Sequence, residues 1–191
     1  SGIAKTLHQL GNVHYSQGNY EEAVKKYNQS LKIKEELGDK SGIAITLHQL
    51  GNVHYSQGNY EEAVKKYNQS LKTFEELGDK SGIANSLHQL GIIHQDQGNY
   101  EEAVKKYNQS LKLKEEVGDK SGIASTMGQL GMIYEAKEEY VFALHAYIKA
   151  FSIFEALKSP YSQLASKLIL ELRDKMEEEK FKTEFERLVN E

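Results

Sequence analysis

The sequence predicts an all-α protein, an α-solenoid in which antiparallel helix hairpins stack on one another. The first observation is a period of 40 residues. Segment 7–27 recurs unchanged at 47–67, with a few changes at 87–107 and more loosely at 127–147. The second is the helical spacing of apolar residues within each repeat. The third is the placement of Gly, Asn and Asp where helices end and begin. Since one such hairpin cannot bury its apolar face alone, the period indicates stacked neighbours.

Composition narrows the classes of function. Charged residues make up 27% of the 191 residues and the net charge is -4, so nothing favours a nucleic-acid partner. The chain has no cysteine, which excludes disulfides and thiolate metal sites and fits a reducing, cytoplasmic environment. No apolar run approaches the roughly 20 residues of a membrane span, so we expect no membrane partner. The common phosphate-binding, serine-hydrolase and zinc-hydrolase motifs are missing, and we expect neither an enzyme nor a cofactor.

Each repeat begins with a predicted helix, described here for repeat one. Residues at spacings of three and four place one face of this helix at Ile3, Leu7, Leu10 and His14. Gly18 is predicted to end the helix. Asn19 is then placed to cap the second helix, and Glu22 three residues later completes a capping-box pattern.

The second helix of the repeat also has two sides. Its predicted buried face consists of Ala23, Tyr27 and Leu31. Its solvated side has two glutamates four residues before lysines, which predicts the pairs Glu21 with Lys25 and Glu22 with Lys26. Gly38 is placed to end the helix in a left-handed cap, and Asp39 to cap the next helix.

A glycine in the middle of the first helix has a predicted packing role. Glycine inside a helix costs about 1 kcal/mol relative to alanine, so a compensating close approach is expected at Gly11. We expect the second helix to cross there, with Ala23 as the small residue opposite.

The repeated residues resemble the tetratricopeptide repeat pattern of Trp-x2-Leu-Gly-x2-Tyr, Ala-x3-Phe and Pro. The matching positions in repeat one are Leu7, Leu10, Gly11, His14, Gly18, Tyr20, Ala23 and Tyr27. Leu or Met stands in the Trp place, His14, His54 and His94 stand in the Tyr place, and Glu35 replaces the closing Pro. The longer repeat is similar to those of LGN/Pins scaffold proteins, kinesin light chains and the sensor repeats of STAND-type NTPases. The resemblance implies a right-handed superhelix that binds a peptide in a concave groove lined by first helices.

The predicted domain organisation follows the period. Repeats one to four span 1–40, 41–80, 81–120 and 121–158, and a C-terminal capping helix pair spans 159–191. Ser159 and Pro160 read as an N-cap followed by a proline at the first helical position. Phe181, Phe185 and Leu188 mark a short amphipathic final helix. Capping repeats close an otherwise adhesive solenoid end, and repeat one has no such cap.

On this hairpin, Leu7, Leu10, Gly11 and His14 are predicted to face the partner helix. By the resemblance, the opposite side of the first helix lines the groove. The candidate peptide-binding residues are Lys5, His8, Gln9, Asn12, Tyr15, Ile45, His48, Gln49, Asn52, Tyr55, Asn85, His88, Gln89, Ile92, Asp96, Met132 and Glu135. Ile92, Asp96, Met132 and Glu135 give repeats three and four a more apolar or acidic floor.

Asn12 and Asn52 are the most specific site prediction. Each amide offers a donor and an acceptor, so two of them one repeat apart can clamp successive peptide groups of an extended ligand. In the scaffold proteins that these repeats resemble, asparagines at this place hold the ligand backbone. In chaperone-tail binders of the family, lysines grip a terminal carboxylate; here the matching places hold His8, His48 and His88, which argues against such a clamp.

The histidines carry no predicted metal site. Helices pack about 8–10 Å apart, which is too far for His8, His48 and His88 to share one ion, and no His-x3-His occurs. These three are expected to form hydrogen bonds in the groove. The histidines in the Tyr place, His14, His54 and His94, are expected in the core, with their ring nitrogens bonded to a partner.

The repeats also differ from one another in an informative way. Repeats one and two differ at Lys5/Ile45, Ile33/Thr73 and Lys34/Phe74. The first helices of repeats two and three differ at Ile45/Asn85, Thr46/Ser86, Asn52/Ile92, Val53/Ile93, Tyr55/Gln95 and Ser56/Asp96. Most of these positions fall on the predicted groove side, and we interpret this as diversification of the groove; drift on an exposed surface is the alternative.

Three functions remain open at this point. The first is a protein-interaction module that binds a peptide in its groove. The second is a self-assembling or structural solenoid, which associates through its uncapped N-terminal repeat. The third is a ligand-sensor fragment of a larger STAND-type NTPase, whose nucleotide-binding part lies outside this chain.

Overall fold

A computed structural model describes residues 2–190 of the chain. Ser1 and Glu191, which the predicted first repeat and capping pair include, lie outside the described residues. Within residues 2–190 there are ten α-helices and no strands, as the all-α prediction requires. The helices are α1 Gly2–Ser16, α2 Tyr20–Glu36, α3 Lys40–Ser56, α4 Tyr60–Leu77, α5 Lys80–Asp96, α6 Tyr100–Val117, α7 Lys120–Ala136, α8 Tyr140–Ala156, α9 Tyr161–Arg173 and α10 Glu178–Val189.

The chain divides after Ile93 into two compact halves. In the N-terminal half, α1 packs on α2 and α3 on α4 as hairpins, and α2 packs on α3 to join them. In the C-terminal half, α7 and α8 form a hairpin that contacts α6 on one side and α9 on the other, and α10 packs on α8. Each half therefore consists of stacked antiparallel helices.

Packing between consecutive hairpins differs in one respect from the prediction. Leu50 and Val53 of α3 are fully buried against Ala23 and Tyr27 of α2, in the preceding hairpin. The leucine position was predicted to face its own partner helix. Helical spacing identifies an apolar side of a helix, but a first helix has two second helices as neighbours and spacing does not distinguish them.

A close approach at the mid-helix glycine is present, but its partner is a tyrosine rather than the predicted alanine. A Cβ atom added to Gly51 would lie 2.6 Å from the ring of Tyr67 on α4. The same relation holds between Gly11 and Tyr27, also at 2.6 Å. The tyrosine ring takes the space that any side chain on the first helix would need, so glycine is required there.

The helix ends follow several of the predicted signals. Gly38 has φ +67°, as a left-handed helix end requires, and Asp39 Oδ1 accepts a hydrogen bond of 2.9 Å from the backbone N–H of Gly42. Asn19 stands at the N-cap, but its side chain makes no cap hydrogen bond and donates instead to Gln17 Oε1 at 3.3 Å. The capping-box prediction is therefore wrong in repeat one.

The charged pairs on the second helices use a different spacing from the one predicted. Lys25 Nζ lies 3.1 Å from Glu22 at i,i+3, and the same pair recurs between Lys65 and Glu62 at 3.2 Å. Both spacings bring side chains to the same helix surface, and the shorter one is adopted here.

The end of the chain forms the predicted helix pair. The N-cap of α9 is Pro160, one position later than predicted, and Ser159 Oγ accepts a hydrogen bond of 3.3 Å from the backbone N–H of Tyr161. Leu188 of α10 is buried, with Phe181 and Phe185 packed around the same cluster as Leu144 and Tyr147 of α8. None of the helices within residues 2–190 is long and apolar enough to cross a membrane.

Candidate functional site

The predicted peptide-binding residues lie on the exposed side of the first helices, which we call the first-helix face of each half. Those with exposed side chains are Lys5, Gln9, Asn12, Ile45, Asn85, Asp96 and Met132. Those that are half-buried are His8, Tyr15, His48, Gln49, Asn52, Tyr55, His88, Gln89, Ile92 and Glu135. None of them is fully buried.

The two asparagines are held in place by buried tyrosines. Tyr27 Oη donates to Asn12 Oδ1 at 2.7 Å, and Tyr67 Oη donates to Asn52 Oδ1 at 2.6 Å. Burial raises the pKa of Tyr27 to about 12, so this hydroxyl keeps its proton at neutral pH. The tyrosines fix the acceptor side of each amide, which leaves its Nδ2 group as the oriented donor. In repeat two, one of these N–H groups bonds Gln49 Oε1 at 2.8 Å.

His8 and His48 belong to the packing between hairpins as much as to the exposed face. Their rings lie 5.3 and 5.2 Å from the rings of Tyr27 and Tyr67. His8 Nδ1 is 3.3 Å from Thr46 Oγ1 on the next first helix, and His48 Nδ1 is 3.4 Å from the equivalent Ser86 Oγ. Each histidine therefore joins two successive first helices.

The hydrogen bonds of Thr46 assign the tautomer of His8. Thr46 Oγ1 donates to the carbonyl of Gly42 at 2.8 Å and accepts from Lys34 Nζ at 2.8 Å. Its remaining lone pair accepts from the histidine, which places the ring proton on Nδ1. Burial, helped by the positive charge of Lys34, lowers the pKa of His8 to about 4, and burial lowers that of His48 to about 4. Both rings are neutral at pH 7.

The second set of histidines does not meet the prediction made for it. Within residues 2–190, Nδ1 of His14, His54 and His94 is buried and has no hydrogen-bond partner. Burial also lowers the pKa of His54.

In the C-terminal half, the hydrogen bond from the buried tyrosine hydroxyl is accepted by a residue other than asparagine. Tyr107 Oη donates to Gln95 Oε1 at 2.8 Å, and Tyr147 Oη donates to Glu135 Oε2 at 2.6 Å. Glu135 also accepts from Lys175 Nζ at 2.7 Å. Burial raises the pKa of Glu135, but the hydrogen bonds from Lys175 and Tyr147 outweigh it and bring the pKa below its usual value.

The differences between repeats do not all lie on the first-helix face. Thr46 and Ser86 are fully buried, and so are Val53 and Ile93, which pack against the preceding hairpin. These two changes therefore do not lie on the groove side. They adjust the contact between stacked hairpins, whereas Ile45/Asn85 and Ser56/Asp96 do lie on the exposed side.

A cavity of about 310 Å³ opens in the C-terminal half between α7, α8 and α9. Its lining includes Gly128, Met132, Tyr147, Phe154, Tyr161 and Leu164. Only Met132 was among the predicted site residues. The sequence held one signal for the cavity, because Gly128 stands where His8, His48 and His88 stand in the other repeats.

In the described part of the chain, no three His, Cys, Asp or Glu side chains are grouped closely enough to ligate a metal ion. The chemistry of the first-helix faces is that of neutral amides, neutral imidazoles, tyrosine rings and a few carboxylates. This combination can bind peptide groups and side chains.

Comparison with known proteins identifies relatives by family and by fold. A family model for the tetratricopeptide repeat matches residues 2–76 and 77–159. The crystal structure of BtubC (BKLC) from P. vanneervenii has a TM-score of 0.80 at 18% identity, covering 99% of this chain and 78% of that one. The apo form of RapI has a TM-score of 0.83 at 19% identity, covering 97% and 68% respectively. Both are helical repeat solenoids, which confirms the predicted fold class. None of the curated proteins matches the sequence.

Proposed function

We propose that this chain, which belongs to the tetratricopeptide repeat family, binds an extended peptide segment of a protein partner on its first-helix faces. The family is generally a non-catalytic scaffold that binds protein partners. The specific proposal concerns where the peptide lies and which groups hold it.

The pair of tyrosine-held asparagines carries this proposal. Asn12 and Asn52 occupy the same place on consecutive first helices, and each has its Oδ1 fixed by a tyrosine hydroxyl at 2.6–2.7 Å. Each Nδ2 group is thereby oriented before a ligand arrives, which lowers the entropy lost on binding. Helices pack about 8–10 Å apart, and a peptide in the extended polyproline II conformation rises about 3.1 Å per residue with about three residues per turn. Two such donors therefore suit carbonyl groups three residues apart on one side of such a peptide.

The surroundings of the asparagines suit an internal peptide segment better than a terminal carboxylate. His8 and His48 are neutral at pH 7, because their pKa values lie near 4. They therefore offer hydrogen bonds without positive charge. In the C-terminal half, Asp96, Met132 and Glu135 give the first-helix face acidic and apolar character.

The test uses aspartate in place of asparagine. Asn12→Asp with Asn52→Asp keeps an oxygen for each tyrosine hydroxyl but removes both Nδ2 donors. Peptides are first selected on the unmodified chain from a random phage-displayed library, and their affinities are measured by fluorescence anisotropy. We expect the double variant to bind the selected peptides at least tenfold more weakly, with unchanged helical circular dichroism.

A matched control separates the donor from the added charge. Gln29→Glu with Gln69→Glu introduces the same two carboxylates at exposed positions of the second helices. This variant should bind as the unmodified chain does. Equal loss in both variants, or no loss in either, would rule out the asparagines as the peptide clamp.

Self-association is a second candidate function, supported by one observation on α1. Ile3, Leu10 and Val13 are 68%, 41% and 49% exposed, whereas Leu50 and Val53 at the equivalent places of α3 are fully buried. The uncovered side of α1 is thus the kind of surface that a further helix covers elsewhere in the chain. A second copy, packing its own α1 against this one, would bury it symmetrically.

Light-scattering mass across a wide concentration range tests this second candidate. A dimer that Leu10→Lys with Val13→Lys converts to a monomer would support association through α1. A monomer at every concentration, or a dimer insensitive to these changes, would eliminate it and leave peptide binding as the function.

A further inference from the structure

We propose that the cavity beside Gly128 receives an uncharged aromatic side chain, such as phenylalanine or tryptophan, from a peptide partner. This inference rests on the proposed peptide-binding function and assigns a side-chain pocket to it. The pocket is confined to the C-terminal half, between α7, α8 and α9.

The absence of a side chain at Gly128 leaves the pocket open. A Cβ atom added at Gly128 would meet no atom within 4 Å, whereas one added at Gly131, a turn away, would lie 2.4 Å from the ring of Tyr147. Gly131 is therefore the packing glycine that recurs in the repeats, and Gly128 is an additional one. Glycine inside a helix costs about 1 kcal/mol relative to alanine, and no close packing offsets that cost at Gly128.

The other repeats show what fits beside the tyrosine. The position of Gly128 is held by His8 and His48 in repeats one and two, whose rings lie 5.3 and 5.2 Å from Tyr27 and Tyr67. Tyr147 occupies the corresponding place in repeat four and lines the cavity. An incoming ring in the cavity would take the place of the missing imidazole. Aromatic rings favour centroid separations of about 4.5–7 Å, which includes the distances seen here.

The lining sets the polarity and size of the occupant. Phe154 and Leu168 contribute apolar surface, and the uncharged polar side chains of Ser125 and Gln129 lie on α7. Among residues 2–190 no charged side chain lines the cavity, so a charged occupant would lose its hydration without a partner. A volume of about 310 Å³ lies at the small end of the roughly 300–1,000 Å³ range of ligand sites, as suits one large side chain.

The rim of the cavity is open to a peptide. Tyr161 and Leu164 of α9 are 59% and 54% exposed, and Met132 of α7 is 45% exposed. Met132 belongs to the first-helix face, so a peptide lying on that face in the C-terminal half can insert a side chain without leaving it. Methionine sulfur also makes favourable contacts with aromatic rings.

The test follows the three methionines of the full chain by NMR of their ¹³C-labelled methyl groups. Met132 lines the cavity, and Met127 and Met176 report on the core next to it and on the end of the chain. The probe is a blocked Gly-Ser-Phe-Ser-Gly peptide, with Gly-Ser-Ala-Ser-Gly as its partner control. We expect the phenylalanine peptide to shift the Met132 signal saturably and the alanine peptide to leave it unchanged.

Two variants block the cavity in different ways. Gly128→His restores the residue found in repeats one to three, and Leu164→Glu places a charge at the exposed rim, where folding is not at risk. Both variants should bind the phenylalanine peptide at least tenfold more weakly. Gly128→Ala, which adds one methyl group, should reduce the affinity less. A further comparison uses free indole and the same peptide with tryptophan in place of phenylalanine. Equally tight binding of both would overturn the proposal that the cavity receives a side chain of a peptide.

Peptides selected from the random library distinguish failure of this inference from failure of the proposed function. Selected peptides that contain an aromatic residue and lose affinity on Gly128→His support the pocket. Selected peptides that depend on Asn12 and Asn52 but not on Gly128 overturn the pocket and leave peptide binding intact. No selected peptides together with no shift at Met132 would overturn both.

Discussion

Buried tyrosines at equivalent positions of the repeats donate to one kind of acceptor in the N-terminal half and to another in the C-terminal half. Tyr27 and Tyr67 donate to asparagines 15 residues earlier in the chain. Tyr107 and Tyr147 donate to Gln95 and Glu135, 12 residues earlier. The tyrosine keeps its position in the repeat, and in the C-terminal half its acceptor lies about one helical turn farther along the first helix.

The comparison shows that the two sequence changes are linked. Where the asparagine position becomes apolar, as Ile92 and Met132, the tyrosine three residues later becomes Gln95 and Glu135. A buried hydroxyl without a partner costs about 1–3 kcal/mol, so losing one acceptor requires gaining another. Two changes that look independent in the sequence therefore compensate each other, because together they keep a hydrogen-bond acceptor for the buried tyrosine.

The largest effect is expected from displacing one of the buried tyrosine rings that recur in the repeats. Gly51→Ala places a Cβ atom 2.6 Å from the ring of Tyr67. Overpacking of a core costs about 1–3 kcal/mol, and we expect a loss near the upper end in denaturant unfolding. Gly128→Ala is the matched control: it is also a mid-helix glycine, but with open space around it, and it should stabilise by about 0.5–1 kcal/mol. Equal effects of the two substitutions would contradict the packing role of Gly51.

The second prediction transfers the arrangement of repeat three into repeat two. Asn52→Ile alone leaves the hydroxyl of Tyr67 without its acceptor and should cost about 1–2 kcal/mol of unfolding free energy. Adding Tyr55→Gln supplies an amide at the position from which Gln95 reaches Tyr107. We expect the double variant to be more stable than the sum of the single effects predicts, by about 1 kcal/mol. Strict additivity in this double-mutant cycle would show that the two positions are independent.

The third prediction separates the two kinds of acceptor by pH. The pKa of Glu135 is lowered in the folded chain, so its contribution is present above the ordinary glutamate pKa and is lost as pH falls through the folded value. Glu135→Gln keeps an oxygen for Tyr147 and reproduces the Tyr107–Gln95 arrangement without a titrating group. We expect a moderate loss at pH 7 and a smaller decline of the thermal midpoint between pH 5 and pH 3 than in the unmodified chain. Parallel pH profiles would mean that Glu135 does not contribute through its charge.

The smallest effect is expected at the turns that distinguish repeat four. Gly98 of repeat three has φ +74°, and Glu138 takes its place in repeat four with φ +59°. A side chain in the left-handed region costs about 1–2 kcal/mol, and glycine recovers part of this while adding freedom to the unfolded chain. Glu138→Gly should therefore raise the free energy of unfolding by about 0.5–1 kcal/mol, which a slightly higher thermal midpoint would show. The reverse change, Gly98→Glu, should lower it, and a fall in both variants would show that backbone strain does not distinguish the two turns.

The predictions from sequence were most reliable where a local signal has one physical outcome. Gly38 and Asp39 end one helix and begin the next as predicted, because a left-handed backbone and a short acceptor side chain act within a few residues. They were less reliable for contacts between helices. The predicted partner of Gly11 was Ala23, whereas the ring of Tyr27 lies there, one turn farther along the same helix face.

The places of the candidate residues in the fold were predicted in outline, but their contacts were not. The sequence placed Asn12 and Asn52 on the exposed side of the first helices, and they lie there. It did not reveal that tyrosines hold them, since a tyrosine at a core position gives no sign of where its hydroxyl points. It also did not reveal that Thr46 is fully buried between Lys34 and His8.

The sequence by itself determined the number and order of the helices, their ends and the stacking of like hairpins. These depend on a period of 40 residues and on interactions that reach only a few residues along the chain. The tertiary structure decided which neighbour each side of a first helix contacts, because every such helix lies between two second helices and helical spacing is the same toward both. It also decided that Gly128 opens a cavity, since that space exists only once Tyr147 of α8 and Leu164 of α9 are packed around it.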